Sequence, residues 1–227
     1  LQLLSSYQVE GIVVNAVGMR EEALNRLQQS LLPMVLIDRK IPDFSCDVVG
    51  LDNVQAANDA TEHLVKNGYR ALLFLSEPLG LVNTRLERLQ AFRQCCAGHT
   101  GVLCENAEVA LSDAAAMDRI ILDFYRRHAD RPAALLVANG ALTLQVARAM
   151  RRLDLDWGRK MGLLGFDELE WAELAGDGIT TLKQPTWQIG YAALERVIQR
   201  IEGEATTIEE QTFHGELVVR GSTRPLA

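Results

Sequence analysis

Polar side chains suited to a hydroxyl-rich ligand recur at one kind of place in this chain. Asn15, Asp38, Ser76 with Glu77, Asn139 and Asp167 each close a short apolar run. Asn and Asp offer the donors and acceptors that sugar hydroxyls need. Taken singly, each has an ordinary explanation, because Asn and Asp after a strand also start turns or cap the next helix. Together, at the ends of successive runs, they form the set that a polyol site requires. Two arginines add charge. Arg39 follows Asp38, and Arg85 lies in Asn83-Thr84-Arg85, ahead of a helical stretch with Arg88 and Phe92. Arginine pairs bidentately with carboxylate or phosphate, which suits an anionic sugar. A salt bridge from Arg85 to Glu87 or another surface acid is the alternative.

Catalytic constellations do not accompany these residues. The chain has no G-x-S-x-G elbow, no Walker loop and no G-x-G-x-x-G. Gly162-Leu163-Leu164-Gly165 reads as a strand, not a phosphate loop. No His or Cys ends a strand. Asp38 and Asp167 could act as an acid–base pair or simply accept hydrogen bonds from hydroxyls; the second is preferred, because no nucleophile or metal set stands beside them. Cys46, Cys95, Cys96 and Cys104 include no C-x-x-C, and free thiols in a reducing cytosol fit them. His63, His99 and His128 fall in polar helical or loop-like stretches and are expected as solvated rings; with His214 they show no paired metal spacing. No metal or cofactor is expected.

The elements that must position these side chains alternate. Apolar runs at residues 11–15, 34–38, 71–76, 134–139 and 161–167 are continuous, as in strands buried on both faces of a parallel sheet. Amphipathic helical patterns fall at 20–31, 54–66, 86–96, 114–128, 142–153 and 187–202. Ala23, Leu24, Leu27 and Leu31 form the stripe of the first. Asn67-Gly68 and Gly203 supply C-terminal stops. Residues 213–220 read as a closing strand. Strand–helix alternation predicts an α/β fold with a mainly parallel sheet, and ligands in such sheets bind beyond the carboxyl ends of the strands.

The 227 residues carry 23 Lys and Arg against 30 Asp and Glu, a net charge of −7, with 48% apolar and 23% charged residues. That balance fits a globular protein of one or two domains and excludes disorder and collagen. The apolar runs are too short for a membrane span, which needs about 20 residues. No basic segment offers a nucleic-acid surface. The chain starts at Leu1 without an initiator Met or a signal-peptide pattern, and is expected to be a piece of a longer protein.

Longer stretches resemble the LacI/GalR transcriptional regulators. They are residues 7–16 (YQVEGIVVNA), 32–40 (LPMVLIDRK), 48–75, 84–92, 131–142 (RPAALLVANGAL), 161–168 (MGLLGFDE), 179–190 (ITTLKQPTWQIG) and 217–223 (LVVRGST). The resemblance runs nearly end to end. Within the family, ANG, DELEW and GITTLKQPT most resemble repressors that respond to 2-ketogluconate.

The resemblance implies a periplasmic-binding-protein-like fold: two α/β subdomains with parallel sheets around a central effector cleft. Residues 1–50 plus 184–211 would form the N-terminal subdomain, and 51–183 plus 212–227 the C-terminal one. The N-terminal helix-turn-helix that binds operator DNA, and the first strand–helix unit of the N-terminal subdomain, are expected to be absent from this chain. Carried over residue by residue, Arg85 matches the effector-binding arginine, Asn139 and Asp167 the hydroxyl-binding pair, Asp38 and Asn15 positions on the other subdomain, and Gln184 a crossover position near the cleft; Arg39 joins them. Gly140 departs from the pattern, since relatives often carry Asp there, and its absence removes a carboxylate that would oppose an acidic effector. The implied protein is a cytoplasmic homodimeric repressor, not an enzyme, in which a sugar acid, 2-ketogluconate, reorients the subdomains and so alters DNA binding. A sugar-processing enzyme using Asp38 or Asp167, and a periplasmic sugar-binding protein, are the alternatives.

Overall fold

The computed structural model describes residues 9–19, 22, 25–26, 29 and 31–225. The helix expected over 20–31 lies largely outside them. The chain divides into two compact units: Leu1–Asp52 with Leu81–Thr84 and Pro185–His214, and Asn53–Gly80 with Arg85–Gln184 and Gly215–Ala227.

The first unit is built on a parallel sheet in the order β1 (Ile12–Val14), β2 (Met34–Ile37), β3 (Asp47–Leu51), β9 (Glu210–Phe213). Alternation along the strands sends Val35 and Val49 to one face. There they pack on Ile189, Ala192, Ala193 and Val197 of the helix Thr186–Ile201. Ile12, Met34, Leu36 and Ile41 form the core of the other face. Asp47, buried at the start of β3, accepts hydrogen bonds from Arg196 Nε at 3.0 Å, Arg200 Nε at 2.6 Å and the Glu209 backbone N–H at 2.8 Å. Burial opposes its charge, but these donors win and hold its carboxyl below the usual range.

The second unit has a six-stranded sheet in the order β10 (Glu216–Val218), β8 (Thr180–Lys183), β7 (Gly162–Phe166), β6 (Ala133–Val137), β4 (Ala71–Ser76), β5 (Leu103–Glu108). All neighbours are parallel except β10, which runs antiparallel to β8. Its helices are α1 (Asn53–Lys66), α2 (Asn83–Ala97, whose first residues belong to the other unit), α3 (Ala114–Arg127), α4 (Gly140–Arg152) and the short α5 (Glu170–Leu174); Thr186–Ile201 in the first unit is α6. Leu73, Leu75, Leu135, Val137 and Leu163 face Met117, Ile121 and Phe124 of α3 and Leu142, Val146 and Met150 of α4. The alternate residue Phe74 meets Phe92 of α2, ring centroids 5.5 Å apart. In β7 a side chain at Gly165 would sit 2.5 Å from Thr143 Oγ1, so glycine lets α4 approach the sheet.

The predicted α/β class with mainly parallel strands describes these two sheets. The closing strand expected at 213–220 is shortened to β10 in the second unit's sheet; Phe213 instead ends β9 of the first unit's sheet, with His214 and Gly215 between the two strands. The polar β5 (LCENAE) was not expected as a strand. It lies at the sheet edge with one face exposed, so it lacks the continuous apolar run that marks the central strands. Three histidines expected as solvated are tied down. His128 Nε2 lies 2.7 Å from Glu105 Oε1, His99 Nε2 2.6 Å from Glu62 Oε1, and His63 Nε2 2.7 Å from Thr223 Oγ1.

Candidate functional site

Register places the site residues of the second unit. Leu75 pairs with Val137, and Val137 with Gly165. Glu77, Asn139 and Asp167 each lie two residues beyond this row, at the carboxyl ends of β4, β6 and β7. Equal offsets on neighbouring parallel strands, about 4.8 Å apart, deliver the three side chains as a row. Leu182 pairs with Phe166, which brings Gln184 beside Asp167 from β8.

Contacts link the row. Glu77 Oε2 accepts from Asn139 Nδ2 at 2.8 Å and pairs with Arg85 Nη2 at 2.8 Å. Arg85 also donates through Nη1 to the Pro78 carbonyl at 2.7 Å, while its buried Nε has no hydrogen-bond partner. Asn139 Oδ1 caps α4 by accepting the Leu142 N–H at 2.9 Å. Asp167 Oδ2 accepts the Gly140 N–H at 2.8 Å, and its Oδ1 accepts Gln184 Nε2 at 2.5 Å. Behind them Arg88 is buried: Nη1 donates to the Ala138 carbonyl at 2.6 Å, Nε to Asn53 Oδ1 at 2.8 Å, and the guanidinium lies 4.2 Å from the Phe166 ring centroid.

Arg85, Asn139, Asp167 and Gln184 are therefore brought together. Of the two explanations weighed for Asn139, the helix cap is present: its oxygen caps α4, while its amide nitrogen donates to Glu77. Arg85 does pair with an acid, and that acid is Glu77 rather than Glu87. In the sequence Glu77 is legible as a strand end, but nothing there assigns it to the site. Its position directly after β4 was the available signal; its shared role between Arg85 and Asn139 depends on register. Both oxygens of Asp167 accept hydrogen bonds, an arrangement that holds a carboxylate still and suits an acceptor better than a base.

In the first unit Asn15 is exposed and its Oδ1 accepts the Val17 N–H at 3.2 Å, a local turn. Asp38 follows β2 with φ +66°, and its N–H extends the ladder to the Val49 carbonyl at 3.0 Å. Asp167 has the same left-handed backbone, φ +71°, after β7. Asp tolerates this conformation better than most residues, and it turns the chain sharply off the strand end. Arg39 Nε is buried without a hydrogen-bond partner, 3.8 Å from Asp38 Oδ2. Trp171 packs on the core of the second unit, whereas Trp187 in the first is exposed and stacks on Tyr191.

The family model for a periplasmic binding protein-like domain matches residues 61–223. The transcriptional regulator PtxS of Pseudomonas putida is 38% identical over 225 residues, covering 99% of this chain and 65% of that protein. The chain thus spans just under two thirds of that relative's length. Among solved structures, the transcriptional regulator CelR in complex with cellobiose superposes with a TM-score of 0.81 at 23% identity, covering 97% of this chain and 68% of the other. The periplasmic binding protein/LacI transcriptional regulator of Alkaliphilus metalliredigens, complexed with D-xylulofuranose, gives 0.80 at 22%, covering 98% and 80%. These structures share the fold.

Proposed function

Because the chain belongs to the periplasmic binding protein-like domain family, we propose that it is the effector-sensing part of a LacI-type transcriptional repressor whose effector is a sugar acid, 2-ketogluconate. The observation that carries this reading is the row Glu77, Asn139, Asp167 with Arg85 and Gln184 at the strand ends of the second unit. Asn139, Asp167 and Gln184 meet hydroxyls with both donors and acceptors. Arg85, held by Glu77 and the Pro78 carbonyl, supplies the positive charge for the carboxylate. Asn15, Asp38 and Arg39 are the first unit's candidates, each testable by its own alanine variant. Similarity to PtxS and to regulators solved with sugars supports the reading.

Binding acts by population shift: the effector favours one of two conformations that differ in operator affinity, and operator binding changes effector affinity by the same factor. The whole protein works as a cytoplasmic homodimer whose DNA contacts come from an N-terminal helix-turn-helix outside this chain. Its acidic balance leaves this part no role in gripping DNA.

Thermal unfolding with 2-ketogluconate, gluconate, glucose, ribose and fructose 1-phosphate tests the effector. At 100 times its Kd a ligand stabilises the native state by about 2.7 kcal/mol. A shift with 2-ketogluconate alone is expected. A shift with a neutral sugar or a sugar phosphate instead overturns the sugar acid while keeping the sensor. Operator-binding assays on the full-length protein with and without 2-ketogluconate test the regulatory part; an operator affinity indifferent to the effector would end it.

A further inference from the structure

Among the described residues, Glu62, Cys95 and His99 form a cluster of metal-ligating side chains apart from the row above. Glu62 lies on α1, Cys95 in the last turn of α2, and His99 two residues past its end, where its N–H bonds the Cys96 carbonyl at 3.0 Å. The three ligand atoms all lie within 4.8 Å of one another. Glu62 Oε1 is the shared vertex: His99 Nε2 is 2.6 Å from it and Cys95 Sγ 3.6 Å. Lys66 pairs with the other oxygen, Oε2, at 3.2 Å and leaves Oε1 to the other two. All three residues are half-buried, open to an ion from solvent but backed by helices.

A partly exposed histidine–glutamate pair alone contributes little and needs no cysteine. A thiol, an imidazole and a carboxylate with ligand atoms within 4.8 Å of one another form a mixed N, S and O set of borderline softness, the set that zinc prefers. Zinc bond lengths place tetrahedral S and O donors roughly 3.5 Å apart and N and O donors roughly 3.3 Å apart. The Sγ–Oε1 separation already matches, and the imidazole must move back by less than about 1 Å.

We propose that Glu62, Cys95 and His99 bind a zinc ion, with water in the fourth position, and that the ion ties α1 to the end of α2. The thiol proton leaves to solvent as the Zn–S bond forms. Burial, followed by the neighbouring Glu62 charge, pushes that thiol up to about 11, so the ion must displace a proton. The carboxylate is already ionised, held low first by His99 and then by Lys66.

Calorimetric titration of the reduced, chelator-treated protein with Zn2+, and absorption spectra with Co2+ as probe, decide the matter. Expected are one Zn2+ per chain, a raised thermal midpoint and a thiolate-to-cobalt charge-transfer band. Cys95→Ser abolishes the band, and Cys95→Ser and His99→Gln each weaken Zn2+ at least about tenfold. Cys104→Ser leaves band and affinity unchanged and controls for the neighbouring free thiols Cys96 and Cys104. Far-ultraviolet dichroism of the metal-free variants separates loss of a ligand from loss of the fold. No saturable Zn2+, a band that survives Cys95→Ser, or one lost with Cys104→Ser overturns the site.

Discussion

The Asp167 carboxylate holds the first turn of a helix that follows a different strand: its Oδ2 accepts the Gly140 N–H at 2.8 Å, at the N-terminus of α4. A helix start favours a negative charge, so β7 and α4 fix one another's ends. Gly140 makes room for the contact. A Cβ there would lie 3.2 Å from Asp167 Cβ, 3.3 Å from its Oδ2 and 2.7 Å from Leu169 Cδ1. Gly140→Asp is expected to destabilise the protein by about 1 kcal/mol, because the Leu169 tip can swing away but Asp167 must shift. It should also weaken sugar-acid binding by placing a second carboxylate beside the first. Urea unfolding and calorimetric titration would measure the two effects.

Arg85→Ala should lower affinity for 2-ketogluconate roughly 10- to 100-fold, the loss of one charge-assisted hydrogen-bonding group. Arg85→Lys should recover part of that, since lysine keeps the charge without the fork. Equal affinity for the wild type and the alanine variant would remove Arg85 from the site.

Glu77→Gln should act in the opposite direction. Glu77 neutralises Arg85 and accepts from Asn139, so removing its charge lifts a competing anion. Sugar-acid affinity is expected to rise by about three- to tenfold, with no such gain for a neutral sugar. Paired titrations with 2-ketogluconate and glucose would show whether the gain follows the ligand's charge.

Stability should fall with pH through the histidine range. Burial lowers the His63 pKa in the folded state. Above about pH 6.5, the ordinary value, neither state binds the proton. Below it the unfolded chain takes up a proton that the folded protein refuses, so stability declines until the lowered folded pKa is reached. Urea midpoints measured between about pH 7 and pH 5 should show this slope, and His63→Gln should flatten it.

Asp47→Ala should destabilise the first unit by about 3–5 kcal/mol, since it strands Arg196 and Arg200 beside a buried site. Asp47→Ala with Arg200→Ala should cost less than the sum of the single variants, because the two residues act as one network. Denaturant unfolding of the four proteins completes the cycle.

The central architecture was legible in the sequence because burial on both faces leaves a local trace. The runs before Ser76, Asn139 and Asp167 became β4, β6 and β7, and Asn67-Gly68 closed α1, where Gly68 takes φ +96° and the Tyr69 N–H bonds the Leu64 carbonyl at 3.1 Å. The strand-end list likewise needed only the order of apolar and polar residues. What a one-dimensional pattern does not carry is pairing. The edge strand β5 is half polar because one of its faces meets solvent, and residues 213–220 divide between two sheets whose partners lie far away in sequence. Histidines that look solvated by composition are held by Glu105, Glu62 and Thr223 from other elements. For the site, residue types nominated Arg85, Asn139, Asp167 and Gln184. Only the register of Leu75, Val137 and Gly165 set Glu77 between Arg85 and Asn139, because which side chains meet across parallel strands is fixed by long-range hydrogen-bond ladders and not by any neighbour along the chain.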